Sequence, residues 1–287
     1  MPSEQLPKPG VGGLAPRRPA DVPPWSPWTA PAAVVLALGL GAVATILVDV
    51  AAAGGGAPVG HTTPALTIAG DMIFDLALVV AALYFASRYG RPRAADFGFR
   101  RVRARLAVLA VVLAAIGYYG LSALYALVFA LHQRDKLPSD LGVNRSHAAL
   151  VAATVFVCVI APVVEEFFFR GFIFGALRRL SIRVADRDLG TWVAAILTGV
   201  LFGAFHVGSA ALVFLIPLGF LGFVLCIMRW RTGSLYPGMA LHGANNALAL
   251  GVQLGWSALE IVGLIVASWL VVAMITGPLG ARTAPLR

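Results

Sequence analysis

The sequence predicts an all-α fold: a polytopic membrane helix bundle of about eight transmembrane helices, with both termini inside. Three observations predict it. Hydrophobic residues make up 59% of the chain and charged residues only 12%, whereas a soluble domain carries about a quarter charged residues. The apolar stretches are long and lack two-residue alternation, which favours helices over a barrel. Third, the basic residues are asymmetric. With the N-terminus inside, 18 of the 22 Lys and Arg residues fall in cytoplasmic segments, seven of them in one loop, Arg88 to Arg105. The outer segments hold Arg134, Lys136 and Arg145, and Arg170 lies within a span. That is the pattern of an oriented membrane protein. It also accounts for the net charge of +9 and excludes a nucleic-acid partner, because the basic side chains sit in short loops and not on one polar face. Arg outnumbers Lys twenty to two, a bias of GC-rich bacterial genomes, so the expected location is a bacterial cytoplasmic membrane.

Residues 1–29 are rich in Pro, Gly and charge and read as a disordered cytoplasmic tail ending in interfacial Trp25 and Trp28. Eight apolar runs follow, each near the ~20 residues that span a bilayer. They are Ala30–Val50, Ala65–Ser87, Leu106–Leu131, Ala148–Leu177, Thr191–Val207, Ala210–Met228, Ser234–Gly251 and Trp256–Thr276. Three spans over 30–147 precede a core at 148–251, and 252–287 holds the last helix and a short tail. Pro162 is expected to kink the long fourth run. Trp192 and Trp230 fall at the inner interface and Trp256 at the outer one. Cys158 and Cys226 lie at different depths, so a disulfide between them is excluded. No cleavable signal peptide is expected from the Pro-rich start.

The chemistry concentrates in the fourth run, where Glu165-Glu166-Phe167-Phe168-Phe169-Arg170 sets three charges among apolar residues. Ionisable groups at bilayer depth are costly and mark function. At a rise of about 1.5 Å per residue, Glu165 and Asn246 lie about 18 Å from the cytoplasmic end, His206 about 21 Å and His242 about 12 Å. Three helices thus bring a carboxylate, two imidazoles and an amide to similar depths. Glu166 and Arg170 are spaced i and i+4 and pair along one face, leaving Glu165 free; Asn245 reads as a helix bridge. A carboxylate and an imidazole around one water polarise it for attack on a carbonyl carbon. His242 and Asn246 then serve as donors to the developing oxyanion. Two versions stay open: direct activation with no obligatory metal, or a single zinc ion held by Glu165, His206 and His242.

The motifs Glu-Glu-x-x-x-Arg at 165–170, Phe-x-x-x-His at 202–206 and His-x-x-x-Asn at 242–246 resemble those of the CPBP (CAAX protease and bacteriocin-processing, Abi) family of intramembrane proteases. The resemblance covers roughly residues 148–250. It implies an eight-helix bundle and an endopeptidase acting on membrane-associated peptides or proteins in the lipid bilayer. It also implies that Glu165 and His206 activate water, that His242 and Asn246 form the oxyanion hole, and that Glu166 and Arg170 support the site. Two other readings stand beside it, an ion-coupled transporter and a non-catalytic immunity or scaffold protein. Asp71 and Asp75, i and i+4 in the second span, fit a proton or cation site; the simpler reading is a hydrated span mouth pairing with Arg145. His61, His132 and His147 read as solvated loop or span-end residues.

Overall fold

The computed structural model describes residues 22–56, 63–129, 141–143 and 146–281. His61, His132, Arg145 and most of the expected N-terminal tail lie outside the described residues. The chain is helical almost throughout: α1 Thr29–Gly54, α2 Pro64–Ser87, α3 Ala94–Phe97, α4 Ala104–Val128, α5 His147–Leu177, α6 Gly190–Ala204, α7 Leu212–Thr232, α8 Tyr236–Gln253 and α9 Ala258–Thr276. The described residues hold one small hairpin, Arg183–Val184 with Arg187–Asp188. Six helices are long and apolar enough to cross a membrane: α1, α2, α4, α5, α7 and α9. The expected fifth and seventh spans are also helices. However, α6 has only 15 residues, and α8 carries His242, Asn245 and Asn246 along its length.

Helix boundaries follow from capping chemistry. Ser146 and Thr63 accept backbone N–H groups at the starts of α5 and α2, with Pro64 at the first position of α2. Ser257 and Glu260 form a reciprocal capping box on α9. Gly233 closes α7 at φ +67°, a conformation glycine adopts without penalty.

The outward surfaces are apolar. Leu127, Leu212, Leu259 and Met274 are each 70% exposed or more, which suits lipid and not water. Inside, the aromatic residues of α5 (Phe168, Phe169, Phe172 and Phe174) are fully buried. Trp25 departs from expectation. It is not interfacial but 1% exposed; its indole N–H donates to the Phe172 carbonyl at 3.3 Å, and its ring packs on Phe97 and Phe172. Gly175 leaves room for this strap, since a Cβ there would lie 2.9 Å from Pro23.

The expected kink at Pro162 takes another form. The α-helical turn Ala161–Glu165 is flanked by π-helical stretches at Phe156–Ile160 and Glu166–Ile173. Proline lacks the N–H that would bond the carbonyl four residues back, and a wider turn is one way to accommodate that loss.

Helices α6 and α7 approach closely through glycine. A Cβ on Gly203 would lie 2.6 Å from the Leu215 carbonyl oxygen, and one on Gly199 would lie 2.7 Å from that of Gly219. Small residues permit such backbone contact in membrane bundles. The turn between the two helices includes Gly208 at φ +101° and carries His206.

Candidate active site

The site is built on α5. Glu166 and Arg170 are both fully buried, and Arg170 Nη1 lies 2.8 Å from Glu166 Oε1, the pair the spacing predicts. The guanidinium also lies over the Phe202 ring, 4.2 Å from its centroid, a favourable cation–π placement in a dry interior.

The same Glu166 oxygen has a second partner. His242 Nδ1 on α8 lies 3.2 Å from Glu166 Oε1, and His242 Nε2 lies 3.7 Å from Glu165 Oε2. The imidazole therefore sits between the two adjacent carboxylates and is only 2% exposed. A donor at Nδ1 directs the other ring nitrogen at Glu165. Gly238 makes this approach possible, since a Cβ there would lie 2.6 Å from Glu166 Oε2. Neither the Glu166–His242 contact nor the need for Gly238 was visible from spacing along single helices; both arise where two helices meet.

His206 lies not within its helix, as expected, but in the turn after α6 ends at Ala204. Its backbone N–H goes to the Gly203 carbonyl, and its Nδ1 donates to the Phe202 carbonyl at 2.8 Å. The side chain thus satisfies a carbonyl of the last turn. That bond assigns the proton to Nδ1 and leaves Nε2 as the unengaged nitrogen.

Glu165, His206 and Asn246 line one cavity of about 310 Å³, within the range of small-ligand sites. His242 is not among the lining residues, and its Nε2 faces the lining residue Glu165. Glu165 itself is 16% exposed at its side chain. Asn246 Nδ2 donates to the Val157 carbonyl at 2.9 Å, inside the first π-helical stretch, so one of its two amide hydrogens is committed to bridging α8 and α5. Asn245, expected to bridge helices, accepts from Tyr119 at 3.2 Å and donates to Asn246. Asp71 and Asp75, expected near a span mouth, line this same cavity. His147 is exposed, as expected of a span end.

A zinc ion is not favoured by the donor arrangement. Among the described residues no three His, Cys, Asp or Glu side chains are placed so that they could hold a metal ion together. The three residues expected to hold it are divided: Glu165 and His206 line the cavity, and His242 does not. Cys158 and Cys226 are both buried free thiols.

No curated protein and no solved structure matches the chain. One family model does match, over 102 residues that run from the start of α5 into α8; α1 to α4 and α9 lie outside them. Residues 147–248 match the family model described as type II CAAX prenyl endopeptidase Rce1-like, so the part of this chain that carries Glu165, His206, His242 and Asn246 is similar to that protease family.

Proposed function

We propose that this protein is an intramembrane endopeptidase of the CAAX-protease type, with Glu165 and His206 as the groups that activate water. The observation that carries the reading is their shared cavity, reached from two different helices, one of which ends in a turn that aims His206. In this scheme a water in the cavity gives a proton to the Glu165 carboxylate while its oxygen attacks the peptide carbonyl carbon. His206 Nε2, unengaged because Nδ1 is bonded to Phe202, accepts the water's second hydrogen bond and orients it. The C–N bond then breaks, and the proton held by Glu165 passes to the leaving amine. Atoms balance with water as the only co-reactant.

The oxyanion role assigned to His242 and Asn246 divides between them. Asn246 keeps one amide hydrogen for it. His242 donates from Nε2 only when both ring nitrogens carry protons, with Glu166 accepting from Nδ1; Glu166 and Arg170 thereby act as positioning residues. Preorganised donors of this kind are typically worth a factor of about 100 to 1000 in rate.

The test is cleavage of a synthetic peptide library by purified protein in lipid, with products read by mass spectrometry. Wild-type protein is expected to release defined fragments, and Glu165→Gln and His206→Ala to release none while still inserting. Equal cleavage by Glu165→Gln would overturn the proposal.

A further inference from the structure

Two acidic side chains in the cavity have no part in the scheme above. Asp71 and Asp75 project from α2, spaced i and i+4 so that they share a helix face, and both line the cavity with Glu165 and His206. Asp75 is 94% buried by its relative exposure of 6%, and its Oδ2 has no hydrogen-bond partner among the described residues. The match to the protease family begins at residue 147, so α2 lies outside it. The titratable side chains lining the cavity are thus three carboxyls and one imidazole, and no Lys or Arg of the described residues joins them. A buried carboxyl without a partner is unfavourable. Something that enters the cavity and carries positive charge removes that penalty.

Resting on the peptidase reading, we propose that Asp71 and Asp75 form a specificity subsite for a cationic group of the substrate, a protonated amine or guanidinium close to the scissile bond. The remaining walls of the cavity, among them Phe74, Leu78, Phe156 and Leu218, take the apolar part of the same peptide. Asp75, the more buried of the two, provides the inner contact and Asp71 the outer one. Both are binding groups and take no proton in the reaction. Charge pairs of this kind, once withdrawn from water, contribute enough to set a preference of at least tenfold.

The test compares N-acetylated peptides that differ only in lysine or norleucine at one position, scanned along the chain, using full-length protein in lipid vesicles. A third series with free N-termini separates a side-chain cation from the α-amine. The expected result is a preference in kcat/KM of at least about tenfold for the cation at one position. That ratio falls towards one in Asp75→Asn and in Asp71→Asn, and keeps its value in Asp49→Asn, whose side chain is exposed on α1 outside the cavity. No preference in the wild type, or an unchanged ratio in Asp75→Asn, would overturn the inference. A wild-type preference restored to Asp75→Asn by Arg145→Gln would also overturn it, by revealing an internal partner.

If no peptide is cleaved, the peptidase reading fails separately. Equilibrium binding of the lysine and norleucine peptides to Glu165→Gln protein then decides the subsite alone. Tighter binding of the lysine peptide, lost on adding Asp75→Asn, supports the subsite; equal binding contradicts it.

Discussion

At the residue scale the site depends on which contacts share an atom. Glu166 Oε1 meets both Arg170 and His242, so removing Glu166 disturbs two partners. Glu166→Ala leaves the Arg170 guanidinium as an uncompensated buried charge, and such losses typically cost about 3 to 5 kcal/mol. Thermal unfolding in detergent should show this as a clear drop in midpoint. Gly238→Ala acts on the same carboxylate from the facing helix. Its methyl group would stand 2.6 Å from Glu166 Oε2, forcing the carboxylate away from His242. Cleavage should fall by about tenfold or more while unfolding shifts by only about 1 to 3 kcal/mol, the ordinary range for overpacking. Parallel kcat/KM and unfolding measurements check this; equal activity in Gly238→Ala would show that the Glu166–His242 contact does not matter.

Helices, at the next scale, decide where those residues meet. Sequence spacing was sufficient for contacts along one helix, such as Glu166 with Arg170, because the i and i+4 relation is local. The fixed rise per residue also leads to the expectation that Glu165, His206 and Asn246 face one cavity, and all three line it. Sequence spacing did not disclose Trp25, whose partner Phe172 is 147 positions away, or the form that the Pro162 irregularity takes, the π-helical stretches of α5. Nor did it show that His206 lies in a turn or that His242 stands between the Glu165 and Glu166 carboxylates. The turn holding His206 depends on α6 and α7 meeting backbone to backbone at Gly203 and Gly199. Gly203→Val should separate those helices, destabilise the fold by about 1 to 3 kcal/mol and reduce cleavage beyond what lost stability explains. An active Gly203→Val protein of unchanged unfolding midpoint would contradict this.

The hairpin before α6 allows a pH prediction. The N–H groups of Gly190 and then Ile182 hold the Asp188 carboxyl below its usual range. A lowered folded-state value means that this support is complete above the ordinary carboxylate value of about 4. It is lost as pH falls through the lower one. The protection of the Gly190 and Ile182 amides, taken relative to their intrinsic exchange rates at each pH, should therefore fall on acidification below that value, and Asp188→Asn should remove the dependence.

At the scale of the whole molecule, the cavity reaches from the middle of α2 and α5 to the α6–α7 turn, away from the basic Arg88–Arg105 loop. The lining residues come from Asp71 to Leu78 of α2, Phe156 to Phe169 of α5, the α6–α7 turn, Leu218 of α7 and the second half of α8. The Arg88–Arg105 loop lies past the other end of α2. If basic loops stay inside, the cavity is nearer the outer side. A membrane-impermeant maleimide should label Ser209→Cys in intact cells and label Arg91→Cys only after permeabilisation. The reverse pattern would invert the topology.

The central claim is that Glu165, in the cavity it shares with His206, carries the hydrolysis. The most direct measurement is kcat/KM for one cleaved peptide by wild-type and Glu165→Gln protein in the same lipid preparation. Loss of a positioned acid–base group predicts a fall of about 100- to 10000-fold with unchanged helix content; a fall within about twofold would contradict the account.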